Sequence, residues 1–306
     1  MQEAELSIAI ECILDVKATL GEGAVWDTEK GVLWWVDIAA PSLSRFHPKA
    51  GKHETWLMPS AIGCVAPRRS GGAVVGLEEG WCAFDPINGS INVINDMAPG
   101  LATHRFNDGA VDPSGRFLAG TMPKTGPRDA TSGEQGDGSL FCLDADGSCR
   151  KILDGLYIQN GLAFSPDGRR MYLSDSYKPI RTIWAFDYDL ESGTPSNRRI
   201  FFDTHAVAGR PDGAAMDAEG CYWMAGVDGW QIVRLTPKGT IDRVIPVPVE
   251  KPTCLAFGGP RLEQLYITSM GAGLITPGTE DRQPQAGGVF VCEPGVTGYA
   301  PPPCSA

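Results

Sequence analysis

Four oxygen-bearing side chains recur at one position of a repeated formula. Glu22 stands five residues before Asp27 in EGAVWDTEKG, and Asn107 five before Asp112 in NDGAVDPSG. Asn160 stands five before Ser165 in NGLAFSPDG, and Asp212 five before Asp217 in DGAAMDAEG. Each is followed closely by glycine, then a short apolar run, then a turn of the D-x-x-G kind. Asn or Asp beside glycine is also an ordinary turn signal, because the side chain bonds nearby backbone. Glu22 does not fit that account, since glutamate is a poor turn former. Two carboxylates facing each other without a counter-ion would be costly. A divalent cation held by Glu22, Asn160 and Asp212 removes the repulsion. Hard, all-oxygen ligation suits Ca²⁺ first, with Mg²⁺, Mn²⁺, Zn²⁺ or Fe²⁺ as alternatives, and it is unlike a thiolate zinc site.

The surrounding segments say how residues so far apart would meet. VLWWVDI, GAVVGLE, RFLAGTM, SLFCLDA, RMYLSDS, TIWAFDY, CYWMAGV, QLYITSM and GVFVCEP are short and rich in aromatic and β-branched residues. Gly, Pro, Asp or Asn bounds them, as expected of strands. No long stretch shows a 3.6-residue apolar period. Units open near Gly31, Gly72, Gly115, Gly168, Gly220 and Pro260, about 40 to 53 residues apart, the spacing of four-stranded blades. The expected fold is all-β, a six-bladed β-propeller forming one domain over residues 1–306. The strand around SIAIECIL is expected to join the last blade at its outer edge and close the ring. In such a ring the short apolar runs are the innermost strands. Their first residues converge on the channel, and the adjoining glycines allow close backbone approach.

Composition narrows the partners. The chain has 306 residues, 42% hydrophobic and 21% charged, with 38 Gly and 24 Pro, a globular composition with many turns. A formal net charge of −11 and the lack of a basic stripe argue against nucleic acid. The longest apolar stretches are interrupted by charge and fall short of a membrane span. An acidic N-terminus, unlike a secretory signal, points to a cytoplasmic protein. Nine cysteines without C-x-x-C pairing or zinc spacing to the four histidines read as buried free thiols.

Taken in order, LGEGAVWD, RFNDGAVDPSGRFLAGTM, QNGLAFSPDGRRMYLSDS, AFDYDLESG, RPDGAAMDAEGCYW and CLAFGGP resemble the senescence-marker-protein/gluconolactonase family of regucalcin-like sugar lactonases. The likeness runs from about Leu20 to AGGVFV. It implies a six-bladed propeller with one divalent metal at the channel mouth. It implies Glu22, Asn160 and Asp212 as metal ligands, Arg105 and Asn107 as substrate contacts, and Asp212 as general base. The chain departs from the pattern after GTM: animal members carry acidic residues there, whereas this chain has PKTGPRD, with Lys124 in their place. The sugar preference of those relatives therefore does not carry over.

The expected reaction is metal-dependent hydrolysis of an aldonolactone, such as gluconolactone, xylonolactone or arabinolactone, to its sugar acid. The metal polarises the carbonyl, Asp212 activates water, and the planar fork of Arg105 holds a ring or hydroxyl oxygen. Lys124 and Arg128 lie on a loop that is either a recognition element for an anionic or extra-hydroxylated sugar or a solvated surface. Trp34, Trp35, Trp184 and Trp223 are read as blade core before sugar platforms. Asp175 is placed to hydrogen-bond across the channel. Rival readings are hydrolysis of phosphorus or other activated esters, and a calcium-binding regulatory protein without catalysis. The partner is a small sugar lactone, and the chain is a monomer or weak homo-oligomer. No G-x-S-x-G, P-loop or dinucleotide fingerprint is present.

Overall fold

The computed structural model describes residues 8–97, 101–127 and 135–306. Their strands form six antiparallel sheets. The innermost strands of blades 1 to 6 are Gly21–Asp27, Cys64–Pro67, His104–Val111, Gln159–Phe164, Arg210–Asp217 and Pro252–Gly258. Each packs against the next, and Gly21–Asp27 meets Pro252–Gly258 to complete the circle. The chain is thus a six-bladed β-propeller. Glu11–Leu14 pairs antiparallel with Val289–Cys292 as the outer strand of blade 6, the closure expected of SIAIECIL.

The units begin earlier than the glycine turns suggest. Gly31, Gly72, Gly115, Gly168 and Gly220 lie in turns between the first and second strands of blades 1 to 5. The innermost strands are short, packed on both faces and rich in Ala and Gly, so they carry little of the alternation by which a strand is recognised. Five of the six also carry an irregularity near their first residues, for instance between Glu22 and Val25 and between Asn160 and Ala163. Such bulges re-aim side chains. Here they lie where the polar residues face the channel.

Glycine at this point is a steric requirement. A Cβ on Gly161 would lie 2.3 Å from the Tyr222 hydroxyl and 3.0 Å from the Asp212 carbonyl, and its φ is +58°. At Gly213 a Cβ would lie 2.6 Å from the Cys254 sulfur. Both contacts cross a seam between blades, so side chains there would wedge the ring apart.

The far end of the innermost strands is held by their turn residues. Asp112 accepts from the amides of Ser114 and Arg116, from Arg116 Nε at 2.7 Å and from the Tyr188 hydroxyl of blade 4 at 2.8 Å. Residues 298–299 add a fifth strand to blade 5, pairing with Met216 and Asp217, and Cys304 bridges to Arg68 of blade 2. Between the blades the core is aromatic. Trp34, Trp35, Trp184 and Trp223 are all buried in it, as expected of blade packing. All nine cysteines are free, seven of them buried.

Candidate functional site at the mouth of the channel

The ring brings the first residues of blades 1, 3, 4 and 5 to one end of the channel. Glu22, Asn107, Asn160 and Asp212 are all buried there, although each is a polar group. Blade 2 places Ile62 and blade 6 places Thr253 at the position five residues before the strand end. This explains why only four units share the polar formula.

A chain of hydrogen bonds crosses the blades. Arg105 Nη1 donates to Asn107 Oδ1 at 2.8 Å and to the Phe106 carbonyl at 2.9 Å. Asn107 Nδ2 donates to Asn160 Oδ1 at 3.1 Å and to the Gln159 carbonyl at 2.8 Å. Asn160 Nδ2 donates to Ser176 Oγ at 2.6 Å, and Ser176 passes a hydrogen bond to the Pro211 carbonyl, beside Asp212. The Asn160 amide is thereby oriented, with nitrogen toward Ser176 and oxygen toward Asn107. The Arg105 contact orients Asn107 in turn, so that its nitrogen faces Asn160.

The carboxylates repel one another. Burial pushes the Glu22 carboxyl well above its ordinary value, and Asp212 and Asp108 push it further. Burial likewise raises Asp212 well above the usual range; Arg210 opposes the shift, while Asp108 and Asp228 add to it. Asp108 is raised to about 6 by burial, against the amides of Leu162, Gly109 and Gly161. Among the described residues, no ion pair within 4.0 Å engages Glu22 or Asp212. Arg210 is committed to Asp228, 2.8 Å away. Burial lowers Arg105, while Glu22 and Glu78 both act to raise it, so its guanidinium lies in the field of both carboxylates.

Beneath this cluster the channel is apolar. A cavity of about 90 Å³ is lined by Ala24, Ala66, Ala110, Ala163, Ala214 and Ala256 among others, and Asp108 is the charged group in that lining. Pro301, beyond the fifth strand of blade 5, also lines it. Polar chemistry is thus confined to the mouth.

Three further residues belong to the site. Asp108 follows Asn107 and precedes glycine, the same Asp-Gly pair as Asp212–Gly213, and that repeat was the available signal. Ser176 and Glu78 offered none, since a serine after a strand and a Glu-Glu turn are commonplace. Lys124 Nζ lies 2.6 Å from Glu78 Oε2. Arg128 lies outside the described residues. Asp175 does not span the channel: its carboxylate accepts from the amides of Tyr157, Ile158 and Tyr177, capping loops of its own blade. Asp37 does the same in blade 1, accepting from Thr19, Leu20, Ala39 and Ala40.

At the opposite end, Asp217, Glu219 and Cys221 also lie close enough to share an ion. Arg234 already occupies that place, 2.7 Å from Asp217 and 2.6 Å from Glu219.

A family described as SMP-30/gluconolactonase/LRE-like region matches residues 20–271, a span running from the strand of Glu22 through the second strand of blade 6. The chain belongs to this family. Among its curated relatives, regucalcin from Xenopus laevis is 37% identical over 297 residues, covering 96% of this chain and 98% of the relative. A 6-deoxy-6-sulfogluconolactonase from Pseudomonas putida is 37% identical over 294 residues, with 96% and 97% covered. A solved structure of a calcium-binding protein, regucalcin, from Agrobacterium tumefaciens superposes with a TM-score of 0.87 at 27% identity, over 97% of each chain. Among the described residues, no helix is long and apolar enough to cross a membrane.

Proposed function

We propose that this member of the family hydrolyses the lactone of a polyhydroxylated sugar acid, using a divalent cation held by Glu22, Asn160 and Asp212. The observation that carries this reading is the pair of buried carboxylates that, among the described residues, no ion pair within 4.0 Å engages, beside an asparagine whose amide is fixed between Asn107 and Ser176. Three oxygen donors of which two are anionic fit a hard divalent ion. Calcium is the first choice, in keeping with the Agrobacterium relative described as a calcium-binding protein. Once bound, the cation supplies Lewis-acid polarisation of the lactone carbonyl.

The rest is the work of side chains. Asp212, buried at the mouth, is the base that takes a proton from the attacking water. As the new carbon–oxygen bond forms and the ring carbon–oxygen bond breaks, that proton passes to the departing ring oxygen, leaving the hydroxy acid. Arg105, steadied by Asn107 and the Phe106 carbonyl, orients a ring or hydroxyl oxygen. Asn107 itself serves as a substrate contact and as a brace for Asn160. The sulfogluconolactonase relative acts on a lactone, which supports the reaction class.

The experiment is metal stripping and reloading with a panel of five- and six-membered aldonolactones, with acid release followed by pH indicator. Turnover that is lost with chelator and restored by one cation supports the reading. Tight calcium binding without turnover of any lactone would defeat it and favour a regulatory protein.

A further inference from the structure

Glu78 and Lys124 meet just past the ends of the second strands of blades 2 and 3, next to the start of the strand that carries Arg105. Their placement is built into the backbone. Arg105 pairs with Met122, two residues before Lys124. The Lys124 amide donates to the Thr103 carbonyl, and the Glu78 amide donates to Ser60 Oγ at 3.2 Å. Both side chains are about one-third exposed, so a solute can reach them. A partly exposed pair of this kind contributes little to stability, and Glu78 is close enough to act on the Arg105 guanidinium, which ties the pair to the mouth.

We propose that Glu78 and Lys124 together form a charge-neutral subsite for sugar hydroxyls, one that favours a polyhydroxylated ring over an unsubstituted or anionic one. It rests on the lactone reading above. A hydroxyl both donates and accepts, and an ammonium beside a carboxylate offers both partners at once. The ion pair joins one ammonium hydrogen to Oε2. The ammonium carries two more donors, and the carboxylate has further lone pairs. An anionic substituent reaching Lys124 would have to displace or face Glu78, and like charges at such range oppose binding. Glu78 thus supplies a carboxylate at the mouth from blade 2, while blade 3 carries Lys124.

The test uses the calcium-loaded protein and the variants Glu78→Gln and Lys124→Met. Hydrolysis of glucono-δ-lactone and of δ-valerolactone gives a selectivity ratio, and calorimetric titration with gluconate gives binding without turnover. Each variant is expected to lower the ratio about tenfold, chiefly through KM, and to weaken gluconate by a similar factor. A ratio and affinity unmoved in both variants would overturn the subsite. So would a lactone bearing a sulfonate that is preferred by the parent and improves again in Glu78→Gln. No hydrolysis by the parent, with gluconate affinity lost in both variants, refutes the lactonase reading while supporting the subsite. No hydrolysis with unchanged affinity overturns both.

Discussion

Asn107 and Asn160 meet side chain to side chain across the seam between blades 3 and 4, Nδ2 of the first 3.1 Å from Oδ1 of the second. On its other side Asn160 is gripped by Ser176, at 2.6 Å. An amide held at both ends has no freedom to flip, so its oxygen faces Asn107 and keeps a second lone pair for a hard cation. Groups that orient metal ligands typically influence affinity 10- to 100-fold. Ser176→Ala is therefore expected to weaken calcium about tenfold in a chelator competition. An affinity equal to the parent's would show that Asn160 needs no such support.

Asp212 is assigned both ligation and proton transfer. Asp212→Asn keeps an oxygen for the cation but removes the base. Turnover of a lactone is expected to fall roughly 10²–10⁴-fold, with KM changing far less than kcat. If kcat stayed within a few-fold of the parent, another group would have to be taking the proton.

The buried carboxylates predict how the chelated protein responds to pH. A carboxyl whose pKa is higher folded than unfolded keeps its proton longer in the native state. Its stability contribution is full below the unfolded value and is lost as pH rises through the folded value. For Asp108 the window opens near 3.8 and closes near 6, and two pKa units correspond to about 3 kcal/mol. Glu22 and Asp212 are raised in the same direction and add to the loss. Thermal melts in chelator should therefore fall in Tm from pH 4 upward, and calcium should restore more at pH 7.5 than at pH 5. A flat profile in chelator would mean the carboxylates are not in conflict.

Two glycines with similar backbone angles should respond unequally to alanine. Gly31 has φ +63° and nothing within 4 Å of its missing Cβ, so Gly31→Ala is expected to cost only the left-handed strain of about 1–2 kcal/mol. Gly161→Ala adds the 2.3 Å contact with the Tyr222 hydroxyl and should cost about 3 kcal/mol or more in denaturant melts. It should also disturb metal affinity, because Asn160 is the preceding residue. Equal costs at the two positions would contradict the tight seam.

The recurring formula alone pointed to the polar residues that the ring buries at one end of its channel. A repeated unit implies rotational equivalence, which is why Glu22, Asn160 and Asp212 were expected to face one channel once the units closed into a ring. The closing strand was likewise readable, because the inner strands of the last blade come from the C-terminus and leave an outer edge that calls for a partner. Lys124 was visible as a departure from the family pattern, yet its partner was not. Glu78 lies 46 residues away, and nothing in a Glu-Glu turn marks it. The starts of the blades were also misplaced, because innermost strands packed on both faces lose their alternating pattern.

The order of residues determined the ring, its six-fold count and the type of atom facing the mouth, since periodicity and residue chemistry are properties of the chain itself. Only the tertiary structure decided which groups meet at that mouth: Asp108 near Glu22 from blades 3 and 1, Ser176 behind Asn160 within blade 4, Glu78 against Lys124 from blades 2 and 3. Those pairings arise where strands and blades close around the channel. There, distance and burial depend on how whole sheets pack, and local sequence carries no record of that packing.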